Sequence, residues 1–286
     1  MALHSSQEQA NYTYAQDLGG LPLLSASFKH QSFSRHVHEG YCIGVIDQGA
    51  QRFFRSGANH IASQDCIILV NPDQVHDGHS ASKSGWKYRA IYPLPHLLES
   101  ALAELSVQNM GTALFCEPVV SDQLLANQLR GLFNLIQYSD NLLERETTFL
   151  SVISRLLLKH AKQPYKLEKL GKEPKAVKIV KEYLDAHFVD NISTRELADL
   201  AGLNPYYLTR LFQSSVGLPP HAYQIQKRLN CAKSLLLAGQ AALDTALFCG
   251  FTDQSHLHRH FKKYLGVGPG AFQRSNKLNL RGPTIG

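Results

Sequence analysis

Between residues 21 and 93 the apolar positions fall in short runs, many of them alternating with polar ones and all broken by turn residues. Leu23–Phe28, Tyr41–Asp47, Gln51–Arg55, His60–Ala62, Cys66–Val70 and Trp86–Tyr92 each carry the β-branched and aromatic content of a strand. Asp47-Gln48-Gly49, Ser56-Gly57 and Ser63-Gln64 stand between them and predict hairpin connections. Strands so closely spaced, with no helix between them, predict a small antiparallel barrel or jelly roll. After Pro93 the period lengthens to that of a helix. Leu97-Leu98, Ala101-Leu102 and Leu105 make one stripe, and Leu124-Leu125, Leu129, Leu132-Phe133 and Ile136 a second. Phe149-Leu150, Ile153 and Leu156-Leu157 make a third. Asp140-Asn141 joins the last two as a short polar turn, which predicts an antiparallel helical hairpin.

From Pro174 onward the chain is helical throughout and repeats itself. Ser193-Thr194-Arg195-Glu196 reads as a capping box that starts a helix ending at Gly202. Asn204-Pro205 supplies an N-cap and first position for the next helix. Ala198-x3-Gly202 is followed by Leu208-x-Arg210-x-Phe212 and then Gly217. Ala246-x3-Gly250 is followed by Leu257-x-Arg259-x-Phe261 and then Gly266. In the second copy Thr252 or Asp253 caps the helix, and Leu257, Phe261 and Tyr264 or Leu265 form its apolar stripe. A helix, a glycine turn and a second helix with a narrow apolar stripe and a donor-rich outer face satisfy the needs of a helix-turn-helix. One such match occurs in many helical bundles. Two in tandem, each with arginine at the same outer position, point to nucleic acid, because arginine and glutamine suit bidentate contact with base edges. The helix between them, over 221–238, is about 27 Å long at 1.5 Å per residue, close to the ~34 Å between successive major grooves.

Charge sharpens this division. Residues 172–286 hold 15 Lys/Arg against 8 Asp/Glu, a net of +7, while residues 1–171 hold 14 against 15, a net of −1. The basic half suits a polyanion and the near-neutral half needs another role. The stretch 160–175 carries lysines 162, 166, 169, 172 and 175 with two prolines and a glycine, and reads as a solvated tether. Five cysteines without Cys-x-x-Cys spacing predict free thiols in a reducing compartment. No apolar run approaches 18 residues, so a soluble, cytoplasmic chain without a membrane partner is expected.

Gly250-Phe251-x-Asp253-x-Ser255-x-Leu257-x-Arg259-x-Phe261-Lys262-Lys263, with the glycines and Pro269 beyond it, resembles the signature of the AraC/XylS family of bacterial transcription regulators. The resemblance is dense over the last hundred or so residues. More loosely, Arg35-His36-Val37-His38-Glu39, Gly49, Asn71-Pro72 and His76 resemble the cupin-like sensor domain of such regulators. It implies an α+β chain of two domains. A cupin-like antiparallel β-barrel with a helical hairpin spans 1–162, followed by a linker at 163–173. A tandem helix-turn-helix domain spans 174–276, with a tail at 277–286. It also implies a ligand-responsive, sequence-specific regulator that binds double-stranded DNA with recognition helices about 204–214 and 253–264. The helical hairpin would form a homodimer, and RNA polymerase would be a partner if the chain activates.

Matched position by position, the DNA-reading residues are Tyr206, Thr209 and Arg210 in the first helix, with Gln254, Ser255, His258, Arg259 and Lys262 in the second. These positions also lie opposite the Leu/Phe stripes. His258 and His260 make the second helix histidine-rich, so its DNA affinity is expected to respond to pH. For the barrel, His36, His38, His76, Arg52, Trp86, Tyr88 and Arg89 are the candidate effector-binding residues, with a polar or anionic effector in view. His36, His38 and His76 also have the composition of a zinc site. Metal-binding cupins usually add a glutamate about four residues past the second histidine, where this chain has Cys42-Ile43. No metal and no cofactor are therefore assigned, and no catalytic residue. The alternatives are a metal-dependent cupin enzyme fused to a DNA-binding tail, or a dimeric DNA-binding protein without an effector.

Overall fold

The computed structural model describes residues 8–104, 113–162, 171, 173–265 and 267–279. The chain divides into two compact units, Met1–Tyr138 with Thr148–Lys169, and Ser139–Thr147 with Leu170–Gly286. The sequence suggested one break at 163–173; one boundary falls between Lys169 and Leu170, and Ser139–Thr147 also groups with the second unit.

Among the described residues the first unit is built on nine antiparallel strands: β1 (Gln9–Ala15), β2 (Leu21–Phe28), β3 (Ser32–His36), β4 (Cys42–Arg55), β5 (Ala58–Ser63), β6 (Ile67–Val70), β7 (His76–Ser80), β8 (Trp86–Ile91) and β9 (Val119–Val120). One path runs β1-β2-β8-β4-β6-β9, while β7 and β5 pair with the far end of β4 and β3 pairs with β7. Strand β4 belongs to both layers. Its first half pairs with β6 and β8, and its second half, from Ala50, pairs with β5 and β7.

This overturns the expected hairpin at Asp47-Gln48-Gly49, where one strand bends instead of two meeting. The register slips between Ile46 and Gln48, and Gly49 takes φ +74°. A Cβ at Gly49 would lie 2.0 Å from the Gly85 carbonyl, so only glycine allows this bend. Ser56 (φ 54°) and Gly57 (φ 84°) do form the expected two-residue turn, which sets Arg55 opposite Ala58. Between the layers lies an apolar core of Leu24, Ile46, Phe53, Ile68, Trp86 and Ala90 among others.

Three helices complete the first unit: α1 (Pro95–Glu104), α2 (Gln123–Tyr138) and, from Thr148 on, α3 (Leu142–His160). The buried positions of α2 are Leu125, Ala126, Leu129, Leu132, Phe133 and Ile136, while Leu124, expected inward, is 54% exposed. Arg155 reaches Gln128 at 3.4 Å and Lys159 reaches Asp122 at 2.6 Å, as two antiparallel neighbours require. Leu105 lies outside the described residues.

The second unit holds α4 (Pro174–Ala186), α5 (Thr194–Ala201), α6 (Pro205–Val216), α7 (Pro220–Leu237), α8 (Ala242–Phe248), α9 (Gln254–Leu265) and α10 (Pro269–Asn279). Two apolar clusters organise them. Leu184, Leu197, Leu208, Phe212 and Tyr223 belong to one, and Leu229, Leu236, Ala246, Leu257 and Phe261 to the other. Helix α7 enters the first cluster with Tyr223 and the second from Ile225 onward. It is the shared spine of the repeat. Among the described residues no helix is long and apolar enough to cross a membrane.

Candidate nucleic-acid interface and internal cavity

Both outer helices are placed by caps and a glycine turn. Gly202 (φ +65°) ends α5, and the Asn204 side chain accepts from the Tyr207 amide at 2.7 Å to start α6. In the second copy Gly250 (φ +79°) follows α8, the Phe251 amide donates back to the Ala246 carbonyl at 2.9 Å, and the Asp253 carboxylate accepts from the His256 amide at 2.6 Å. Asp253 is thus the cap of α9. Of the expected capping box in α5, the Ser193 hydroxyl accepts from the Glu196 amide at 3.0 Å, while the Glu196 carboxylate accepts from the Tyr183 hydroxyl.

Leu208 and Phe212, and their counterparts Leu257 and Phe261, are fully buried, which turns the opposite faces of α6 and α9 outward. On α6, the Arg210 guanidinium lies over the Tyr206 ring at 5.6 Å. The Thr209 hydroxyl donates to the Pro205 carbonyl at 2.8 Å, so it offers a ligand its lone pairs and its methyl group. On α9, Gln254, Ser255, His258, Arg259 and Lys262 are all exposed. Arg259 and Lys263 act electrostatically on the Glu144 carboxylate, opposing the rise that burial imposes on it.

His260 does not join this face. It packs 6.1 Å from the Phe251 ring and 4.9 Å from the His256 ring, and burial pushes it down to about 3. Of the two histidines expected to couple DNA affinity to pH, only His258 faces outward. Tyr264 is 42% exposed and lies off the apolar stripe, and the Leu265 side chain is outside the described set.

The first unit holds a half-open cavity of about 340 Å³ lined by residues of its strands. His36, His38, His76 and Tyr88 line it, as expected. Three other expected residues do not. Arg52 is exposed, because on β4 it alternates with the inward Gln51 and Phe53. Arg89 points to the opposite face from Tyr88 and is held by Asp47 (2.7 Å) and Asn134 (2.9 Å). Trp86 is 2% exposed and packed into the apolar core against Phe28, at 5.4 Å between rings, beyond the cavity's end.

The sequence reading missed Gln51, Tyr92, Cys42 and Phe33, which also line the cavity. Gln51 carried a signal, since it shares the inward parity of Phe53, and its Oε1 is buried without a partner. The lining residues include no lysine or arginine. Burial shifts several of the lining groups toward their uncharged forms. It pushes the Cys42 thiol up to about 12, raises Tyr88 and Tyr92, and lowers His76; His38 falls to about 4, with His76 and His36 adding to the effect.

Comparison with known proteins agrees with this division. Residues 18–153 match the AraC-like ligand binding domain, and residues 197–275 match a helix-turn-helix domain. The HTH-type transcriptional regulator YbfI of Bacillus subtilis is 30% identical over 227 residues, covering 79% of this chain and 82% of that protein. The probable transcriptional regulator LumQ of Photobacterium leiognathi is 26% identical, with 86% and 93% covered. The HTH-type transcriptional activator RhaS of an Enterobacter species is 26% identical, with 87% and 91% covered.

Proposed function

Since the chain belongs to the AraC/XylS family of transcription regulators and is a ligand-responsive DNA-binding protein, we propose that α6 and α9 are its two reading helices, entering successive major grooves on one face of the duplex. One observation carries this reading: the same cap, turn and helix occur twice, each with leucine and phenylalanine buried and arginine opposite them. Arg210 and Arg259 are the base-contacting pair. Gln254, Ser255 and His258 read beside Arg259, Tyr206 and Thr209 act beside Arg210, and Lys262 meets phosphate.

In this reading residues 1–162 sense the effector, 163–173 tether, 174–276 bind DNA and 277–286 form a tail. A small polar molecule held by His36, His38, His76 and Tyr88 acts as the effector in the cavity, whose volume lies at the small end of ligand sites. Two copies pair through the α2–α3 hairpin, where Leu124 is exposed. If the chain is an activator, as relatives such as RhaS are named, RNA polymerase is its partner at the promoter.

Binding to the chain's own upstream region tests this. Arg210→Ala and Arg259→Ala should each weaken specific binding by about 1–3 kcal/mol and relax specificity at one position. Undiminished affinity in both variants would remove the assignment of the reading helices.

A further inference from the structure

The three cavity histidines come from two places in the chain, His36 and His38 from one and His76 from the other, and meet at one point. Pairing of β3 with β7 sets His36 opposite His76, and His38, in the loop beyond β3, folds back toward both. Ring centroids are 4.3 Å apart for His36–His76, 4.8 Å for His36–His38 and 4.9 Å for His38–His76. Their candidate ligand nitrogens all lie within 4.8 Å of one another.

Hydrogen bonding settles which nitrogen of two of the rings is available. His36 Nδ1 lies 2.8 Å from the Ser34 carbonyl, and His76 Nδ1 lies 2.9 Å from the Gln74 carbonyl. A carbonyl only accepts, so each Nδ1 carries the proton and each Nε2 keeps its lone pair. Metal-binding histidines are held this way, the far ring nitrogen pinned to a main-chain oxygen. Beside them stands the buried Gln51 Oε1, a further acceptor with no donor. The ring nitrogens thus converge in a lining with no lysine or arginine. A Lewis acid satisfies such a set.

We propose that His36, His38 and His76 bind one divalent first-row transition-metal ion, whose remaining coordination position faces the cavity. Tetrahedral nitrogens on zinc at about 2.05 Å stand about 3.4 Å apart, so the rings must close slightly around the ion. His38 lies outside any strand and has the freedom to do so. Imidazole ligands select zinc, cobalt or nickel over magnesium and calcium. Three protein ligands leave a position for water or an oxygen-donor ligand. The ion would supply the positive charge expected of Arg52 and Arg89. This consequence for the effector rests on the cavity's being the effector site; the metal site itself does not.

The test uses full-length protein purified without a histidine tag and stripped with chelator. Cobalt(II) is titrated and followed by its visible absorption, and zinc is measured by elemental analysis after dialysis. One ion per chain, cobalt bands of a four- or five-coordinate site, and affinity reduced at least about 100-fold in His36→Gln/His76→Gln would support the site. His38→Ala, which removes a ligand outside the strands, should weaken binding with melting of the metal-free protein unchanged. Exposed His96→Gln should behave as wild type. Wild-type affinity no higher than that of His36→Gln/His76→Gln, or an equal loss in His96→Gln, overturns the proposal. DNA binding is measured with and without zinc in parallel. Stoichiometric zinc with unaltered DNA affinity upholds the site and counts against the effector reading instead.

Discussion

Gly202 and Gly250 occupy the same place in the two copies of the repeat, yet alanine should affect them differently. Both have a left-handed backbone, at φ +65° and +79°. An L residue there costs about 1–2 kcal/mol, part of which is returned because alanine restricts the unfolded chain by about 0.4–1 kcal/mol. At Gly202 a Cβ would meet nothing within 4 Å, so about 1 kcal/mol is the whole effect. At Gly250 it would lie 2.4 Å from the Val189 carbonyl oxygen and 2.8 Å from the Val189 Cα. That backbone cannot move freely. The buried Arg228 guanidinium donates to the carbonyls of Phe188 (2.6 Å) and Asp190 (2.8 Å) on either side. Forced repacking adds about 1–3 kcal/mol, so Gly250→Ala should cost about 2–4 kcal/mol. Urea unfolding of the full chain, followed by far-UV circular dichroism, reads the helices. Trp86, the single tryptophan, reports the first unit separately. Equal shifts for the two variants, or a Gly250→Ala variant within 1 kcal/mol of wild type, would refute the argument from close approach.

Arg55 is 1% exposed and donates to the Leu69 carbonyl at 2.8 Å, to Gln74 Oε1 and to the Phe115 carbonyl, so Arg55→Ala should destabilise the first unit by about 3 kcal/mol. Its exposed neighbour Arg52→Ala should stay within about 0.5 kcal/mol, and the two melting curves decide the matter. Asp253→Ala removes the cap of α9 and should cost about 1 kcal/mol of stability together with specific DNA affinity, read by melting and gel shift. Burial holds His221 near 4, helped by Lys263, and His260 near 3, helped by His256, Lys263, Arg259 and Arg228. Below about 6.5 the unfolded chain takes up protons that these rings refuse when folded, so stability should fall as pH drops from there toward 4. Each ring accounts for up to about 1.4 kcal/mol per pH unit. A denaturation midpoint that stays flat between pH 7 and 5 would contradict this.

The second unit was legible because its determinants are local. Asn204 caps three residues ahead of itself, Gly202 and Gly250 end helices within a turn, and the Leu-x-Arg-x-Phe spacing assigns inside and outside within one helix. Repetition at an offset of 48 residues before the turn and 49 after it joins two weak motifs into one reading. What escaped was contact across sequence: that Gly250 lies against Val189, that Glu144 sits within reach of Arg259 electrostatically, and that His260 turns inward.

In the strand layers the same local reasoning failed more often, for a physical reason. Alternation states which residues share a face but not which face meets the cavity, so Arg89 and Tyr88 could not be separated until Asp47 and Asn134 took Arg89 away. The residues of β3 and β7 lack a clean apolar alternation, and their pairing decides the site. His36 and His38 were visible as neighbours two apart, but only the β3–β7 register brings in His76, forty residues on. The Ser34 and Gln74 carbonyls that fix two of the ring protons are main-chain atoms, which a sequence of side chains does not show. Along the chain, the missing glutamate past His38 speaks against a metal. The folded register instead supplies three ring nitrogens within 4.8 Å of one another, which no count of residues along the chain shows.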